Sequence, residues 1–453
     1  MISRLMGLIE GNKKNELRGA LLMLNVVDIA SFMEELEQDK MLMVFRILPK
    51  DIAADVFAYM DSDKQQQLVQ LISDGEIHSL MDEMFLDDAV DFLEELPASV
   101  VKRVLQNTSA DTRALINTFL KYPDNSAGSI MTVEYAEFHS SLTVKDAMDS
   151  LRKTGLDKET IYTCYVIDDS RHLIGTIALR HLIMADENKM VTDIMQTNFV
   201  SVKTLDDQEV VADMVRKYDL ISIPVVDNEG RLVGIVTTDD ILDVIEEENT
   251  EDIEKMSGLL PSDDEYMKTP ILTLFKNRIP WLMILMISAT FTGIIITHFE
   301  GVLSSTGKLG VLLTACLPML MDTGGNCGAQ ASTLVIRGLA LGQVEFRDIF
   351  KVWWREARVA VLVGLVLCLV NVARQLVLYY FTAGVTPETM KVTVIVSVAM
   401  FCTVLIAKSI GCTLPLLAKK VGLDPALMAS PIITTLVDAC SLTILFTIAT
   451  FAL

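Results

Sequence analysis

The sequence predicts a multidomain chain: an all-α helical-repeat N domain, a duplicated α/β module, a long acidic connecting helix and a five-helix α transmembrane domain. Three observations predict it. Charge segregates: residues 1–270 hold 52 of the 60 acids and 25 of the 38 bases, a net charge of −27, while the remaining 183 residues carry +5. The apolar period is helical up to about residue 125 and then alternates, twice, with short β-rich runs. The last third holds five apolar stretches long enough to cross a bilayer. The excess of acid excludes a nucleic-acid partner, because phosphates repel it, and favours cations.

Residues 1–125 form the helical N domain. Similar units return at Val27-Asp28-Ile29-Ala30, Pro49-Lys50-Asp51-Ile52-Ala53 and Leu86-Asp87-Asp88-Ala89-Val90. Each puts an acid near a helix start, where the macrodipole favours it. Stacked short helices make scaffolds and binding surfaces. Asp87 and Asp91 stand at i, i+4, with Glu94 and Glu95 beyond. They read either as capping residues on a solvated face or as half of a cation site completed by another domain.

Residues 126–245 repeat one pattern in two copies, 126–187 and 188–245. Ser129-Ile130-Met131-Thr132 matches Asp193-Ile194-Met195-Gln196, and Tyr165-Val166-Ile167-Asp168 matches Pro224-Val225-Val226-Asp227. Leu173-Ile174-Gly175-Thr176-Ile177 matches Leu232-Val233-Gly234-Ile235-Val236. Asp227 to Gly230 reads as a hairpin turn. The module resembles a tandem pair of CBS domains. That resemblance implies an adenine-nucleotide site: Thr237 and Asp240 match its ribose and phosphate residues, whereas the first copy has Ala178 and His181. ATP is therefore a candidate ligand at one site.

Residues 246–270 are an acidic helix and linker, and the acidic stripe starts earlier. Asp240, Asp243, Glu247, Glu251 and Glu254 step by 3, 4, 4 and 3, one face of a continuous helix, with Glu248 and Asp252 beside it. Like charges at this spacing repel, and a divalent cation turns that penalty into coordination. The plain alternative is a solvated linker helix. Gly258, Pro261 and Pro270 end the segment.

Residues 271–453 give five spans, near 279–298, 308–336, 357–381, 392–418 and 428–452. Lys276, Arg278, the basic residues from Arg337 to Arg358, and Lys419 and Lys420 gather on one side, against Lys308 and Lys391 on the other. The positive-inside rule then puts the N-terminus in the cytosol and the C-terminus outside. The first residues contain no signal peptide. Span five carries one charge, Asp438, with Thr434 and Ser441 on the same face. A carboxylate at that depth faces a partner or water rather than lipid. Span two carries Asp322, Asn326, Gln330, Thr333 and Arg337 on one stripe, and Gly324, Gly325 and Gly328 permit a close helix approach or a local break. Two polar stripes suggest a cation path. Lys408 falls inside span four without an assigned role, and Arg374 reads as snorkelling. Asp322-Thr323-Gly324 has no second copy for an aspartic-protease dyad, so no enzyme is expected. The seven cysteines form no CxxC pair and fit a reducing compartment.

Pro318 through Arg337 with its Gly-Gly-Asn core, Gly422-Leu423-Asp424-Pro425-Ala426, Glu251-Asp252-Ile253 and Arg278-Ile279-Pro280-Trp281 together resemble the MgtE family of magnesium channels and transporters. The resemblance covers nearly the whole chain. It implies a homodimer in the plasma (inner) membrane, with a pore on the dimer axis where Asp438 binds hydrated Mg²⁺. It implies a regulatory Mg²⁺ set at Asp55, Asp87, Asp91, Glu209, Asp219, Asp240, Asp243, Glu248, Glu251 and Asp424. It also makes the connecting helix a plug that closes the pore when cytosolic Mg²⁺ is high. Asn326, Gln330 and Thr434 are the expected pore lining. Rival readings are a membrane-tethered nucleotide or metal sensor, and a transporter of Co²⁺ or Mn²⁺. Oxygen-only ligands disfavour softer metals.

Overall fold

A computed structural model describes residues 2–262, 266–267, 269–299, 301, 307–382, 384–428 and 430–452. Residues 263–265 and 268 of the expected linker lie outside the described residues. The chain divides into two units, residues 1–246 and 247–453.

The first unit opens with ten short helices among its described residues, α1 (Ile2–Glu10) to α10 (Ala110–Phe119), including α5 (Lys50–Ala58) and α8 (Leu86–Glu94). Polar caps set the breaks: the Ser73 hydroxyl accepts from the Glu76 N–H, and the Glu76 carboxylate accepts from the Ser73 N–H at 2.8 Å. The apolar stripes meet in one core, where Phe57 and Phe92 pack edge to face with centroids 4.9 Å apart.

Two matching three-stranded sheets follow. In the first, β1 (Tyr135–His139) runs parallel to β2 (Thr160–Ile167), which pairs antiparallel with β3 (Leu173–Ala178). In the second, β4 (Val202–Lys203), β5 (Ser222–Val226) and β6 (Leu232–Thr237) repeat that order. Helices α11 (Val144–Thr154), α12 (Leu179–Met184) and α13 (Val191–Ile194) pack with the first sheet, and α14 (Gln208–Tyr218) with the second. The copies exchange their leading segments. Thr132 pairs with Ile235 on β6, and Gln196 pairs with Thr176 on β3, each through two backbone bonds of 2.8–3.0 Å. Gly234 and Gly175 make this possible: a Cβ there would lie 2.7 Å from Met131 Sδ and 2.6 Å from Met195 Sδ. The hairpin turn expected at Asp227–Gly230 is present, with Gly230 at φ +85° and Asp227 Oδ1 accepting from the Glu229 and Arg231 N–H groups. One helix, α15 (Thr238–Met256), carries all five residues of the acidic stripe.

The second unit contains α16 (Ile271–His298), α17 (Lys308–Ala340), α18 (Ile349–Phe381), α19 (Pro387–Val421) and α20 (Ser430–Ala452). Among the described residues, α16, α18, α19 and α20 are long and apolar enough to cross a membrane, the second and fourth counted with their preceding 3₁₀ turns. Helix α17 is not among them, since glycines and its polar stripe dilute its apolar content. It is nevertheless an unbroken helix, so its glycines serve close approach rather than a break. A Cβ at Gly324 would lie 2.6 Å from Thr403 Cγ2, and one at Gly328 2.7 Å from Ile433 Cγ2. Gly411 of α19 sits directly on the carbonyl of Gly328. Around these contacts Leu320, Val396, Val404, Val437 and Phe446 form the core.

The structure gives Lys408 a partner. Its Nζ lies 3.3 Å from Glu356 Oε2 of α18, with side chains only 6% and 14% exposed. Arg374 donates to Asn371 Oδ1 at 3.2 Å, while Asn371 donates to Ser397 Oγ and Gln375 accepts from Thr393 Oγ1. Breaking a buried pair by removing one partner costs about 3–5 kcal/mol, whereas replacing both with apolar residues is nearly neutral. Glu356→Gln is therefore expected to lower the unfolding temperature in detergent, and the double variant Glu356→Leu/Lys408→Met to recover most of that loss.

Candidate cation sites

Helices α17 and α20 together build an open cleft of about 590 Å³, lined by Pro318, Met321, Asp322, Asn326, Thr434 and Asp438 among others. Gly325 sets the helices close enough for this, its added Cβ falling 3.0 Å from Thr434 Cγ2. Asp438 is half-buried, and Asn326 donates to Asp322 Oδ1 at 3.2 Å. The cleft thus holds two carboxylates, an amide and a hydroxyl, all hard oxygen or amide donors. Asn326 and Thr434 line it as expected, and Asp322 joins Asp438 as a second acid. Gln330 is exposed on α17 one turn beyond Asn326 and is not among the lining residues. Ser441 is fully buried and donates to the Val437 carbonyl, so it leaves the expected stripe. Asp322, Asn326, Gln330, Thr333 and Arg337 are all exposed, which leaves one polar face of α17 uncovered in a single chain.

A second acidic site lies within the first unit. Asp87, 7% exposed on α8, is raised well above the carboxylate range by burial and then by the charges of Asp88, Asp240 and Glu159. Burial, then Asp240, Asp55, Asp239 and Glu134, pushes Asp88 up to about 6. Burial, then Asp239, Asp88, Asp240 and Glu134, pushes Glu159 up to about 7. Asp55 is raised by burial and Asp51, and Asp243 by burial, Glu246 and Asp239. The structure therefore brings Asp55, Asp87 and Asp240 together. Asp88, Glu134, Glu159 and Asp239 belong to the same patch, although only Asp88 had any positional signal, as a helix-start acid. Asp91 is exposed one turn along α8 from Asp87, and Glu209 and Asp219 lie exposed at opposite ends of α14. Thr237 and Asp240 are bonded to each other, Oγ1 to Oδ2 at 2.6 Å.

A third site lies within the second unit. Glu248, Glu251 and Asp252 of α15 gather near Asp424, and Asp252 is pushed up to about 6, by burial first and then by the Asp424 charge. Lys255 Nζ stands 2.5 Å from Glu251 Oε1 and 2.8 Å from Asp424 Oδ2. Among the described residues, no three Asp, Glu, His or Cys side chains enclose a space for a bare ion. The donor set is all carboxylate, partly desolvated and mutually repelling, and fits a hard cation that retains several waters.

The crowding in the first unit has a pH signature. Asp88 and Glu159 titrate near 4 when unpacked and near 6 and 7 when packed. The packed state then binds more protons, so its stability falls as pH rises from about 4 to about 7. Without divalent cations, the α8 backbone of the full-length protein is expected to exchange hydrogen faster at pH 8 than at pH 5.5 after correction for intrinsic rates. Added Mg²⁺ at pH 8 is expected to restore protection.

Comparison with known proteins agrees along the whole chain. Residues 24–125 match the MgtE intracellular N domain, 127–188 and 191–247 match CBS domains, and 317–448 match the divalent cation transporter MgtE. The magnesium transporter MgtE of Thermus thermophilus is 35% identical over 437 residues, 96% of this chain and 94% of that one. Its counterpart in Bacillus subtilis is 32% identical over 435 residues, 93% of each. Among solved structures, the soluble part of a magnesium transporter covers 55% of this chain at 33% identity and TM-score 0.52, with 97% of that chain matched. The cytosolic domain of the Mg²⁺ channel MgtE in complex with ATP covers 54% at 35% identity and TM-score 0.51, with all of that chain matched. This chain belongs to the MgtE family of divalent cation transporters.

Proposed function

We propose that the protein carries Mg²⁺ across the plasma membrane through a pore on the axis of a homodimer, and that cytosolic Mg²⁺ closes it. The observation that carries this reading is the cleft holding Asp438 and Asp322 beside the uncovered polar face of α17. In a bilayer such a face must be covered by protein or water. A second copy related by a twofold axis covers it with the same face and sets two Asp438 carboxylates opposite each other. Helix α17 then becomes the fifth span despite its modest apolarity. The N-terminus lies in the cytosol and the C-terminus outside. Asn326, Thr434 and Gln330 line the path, with Gln330 beyond the cleft toward the cytosolic end. Hydrated Mg²⁺ accepts this lining because carboxylates and amides bond to its water shell without stripping it. Relatives named as magnesium transporters, at 35% and 32% identity, support the ion's identity over Co²⁺ and Mn²⁺. The protein is a transporter and not an enzyme.

Regulation follows from the acidic sites. Asp55, Asp87, Asp91, Glu209, Asp219, Asp240 and Asp243 in the first unit, with Glu248, Glu251 and Asp424 in the second, form the regulatory set. Bound Mg²⁺ supplies the positive charge that lets these side chains come together. In its absence their repulsion disfavours the closed arrangement, in which α15 plugs the pore. The response depends on the closed state binding the ion more tightly than the open one. The ATP complex of a related cytosolic domain supports a nucleotide site at Thr237 and Asp240.

Asp438→Ala is expected to abolish Mg²⁺ uptake by reconstituted protein while leaving its detergent elution profile unchanged; wild-type uptake by this variant refutes the pore assignment. Neutralising Asp240, Asp243, Glu248 and Glu251 together is expected to leave currents flowing at Mg²⁺ concentrations that silence the wild type in patch recording.

A further inference from the structure

Near the end of α15, Lys255 stands among the carboxylates of Glu251, Asp252 and Asp424. Lys255 bridges Glu251, one turn back on its own helix, and Asp424, just ahead of α20, and its side chain is 20% exposed. Glu248 and Asp252 act on the same patch. Burial alone would lower the Lys255 pKa, but bonds to Asp424 and Glu251 raise it above the ordinary lysine value, so the ammonium stays charged. Asp424 is held in place for this contact, its Oδ1 accepting from the Ala426 N–H at 2.8 Å while Oδ2 meets Lys255. The chain beyond is fastened as well. Gly258, at φ +74°, sits against the Trp281 indole with no room for a Cβ, and the Leu260 N–H donates to the Asn277 carbonyl at 3.0 Å.

We infer that Lys255 is a built-in rival of the regulatory cation: its ammonium fills the place between Glu251 and Asp424 that a divalent cation takes, and so sets the Mg²⁺ concentration at which α15 responds. The inference rests on the regulatory reading above and deepens it. One ammonium offsets a single negative charge, and Glu251, Asp252 and Asp424 together exceed it, an excess that a hydrated divalent ion neutralises better. The lysine stem is flexible and its head readily hydrated, so it swings aside into water at small cost. A partly exposed pair of this kind is weak and screened by salt. Whatever holds Lys255 in place is subtracted from the cation's binding energy, so removing the ammonium tightens the apparent affinity. Were Lys255 instead a partner of the ion in holding α15 down, removing it would loosen that affinity.

The full-length protein in liposomes separates the two. Lys255→Gln removes the charge, and Lys255→Arg keeps it. Two midpoints are read against Mg²⁺ on the cytosolic face: inhibition of flux, and hydrogen-exchange protection of the backbone over residues 247–262. Lys255→Gln is expected to lower both midpoints about fivefold, and Lys255→Arg to stay within about twofold of the wild type. A midpoint for Lys255→Gln that is unchanged or raised overturns the inference. Failure of the regulatory reading itself shows in the wild type, as neither inhibition nor protection by Mg²⁺, and the inference then falls with it.

Discussion

Uncompensated negative charge is the constraint on which the rest of this structure depends. Asp87 is nearly inaccessible on α8, with Asp88, Glu159 and Asp240 acting on it. A fold that minimised its own energy would place lysine or arginine there, or bury leucine, since an unpaired buried charge is costly. Here burial and the neighbouring acids push these carboxylates toward their protonated forms. Perturbed carboxylates of this kind mark functional sites more often than structural ones. The buried pair of Lys408 and Glu356 is the contrast within the same chain: one acid, one base, and no vacancy for a third charge.

The membrane part solves a different problem with the smallest residues. Bringing Asp438 beside Asp322 and Asn326 requires α20 and α17 to pack backbone to side chain, with nothing between them. Gly324, Gly325 and Gly328 clear that space, and Gly411 clears the space between α17 and α19. In lipid, without a hydrophobic drive between helices, such contact is itself a main source of association. The same residues that lower the apolarity of α17 therefore hold it in the bundle, while its polar stripe borders the cleft at Asp322 and Asn326 and runs on along the exposed face.

What could be read in the sequence is what depends on local spacing. The stripe from Asp322 to Arg337, the acidic row on α15 and the duplicated sheet pattern all follow from helical or alternating periodicity, and each occupies the elements expected of it. Four of the five expected spans occupy helices long and apolar enough to cross a membrane, and α17 is expected as a span only by allowing one of them to be polar. What could not be read depends on distant neighbours. Ser441 shares a helical face with Asp438, but at its level α17 and Thr403 close over the helix, as the contacts of Gly324 show. Glu356 is 52 residues from Lys408, and no periodicity links them. Glu159 stands just ahead of β2, where sequence shows only a loop acid. Nothing local in the sequence shows that Met131 and Met195 pack on Gly234 and Gly175 of the opposite copies.

In the proposed function one ion is both cargo and signal, and it must be held differently at the two kinds of site. Conduction needs a site that attracts the ion yet releases it. The cleft suits the proposed role with two carboxylates beside open space, and among the described residues no third acid closes a cage. Sensing needs many weak contacts that act together, because a steep response arises only when several sites favour the same state. In that reading the first unit supplies them, since acids from α5, α8 and the start of α15 crowd into one patch. The end of α15 supplies them through Glu251 and Asp424, and there alone among the described acidic sites an ammonium bridges two of the acids. From Asp424 the chain runs through the 3₁₀ turn Pro425–Met428 into α20, and Ser332 of α17 donates to the Met428 carbonyl at 3.4 Å. The segment that meets the acidic helix is thus bonded at its other end to the helix carrying Asn326. Asp424 is joined by a short run of chain to α20 and, through the Met428 carbonyl, to α17, the two walls of the cleft.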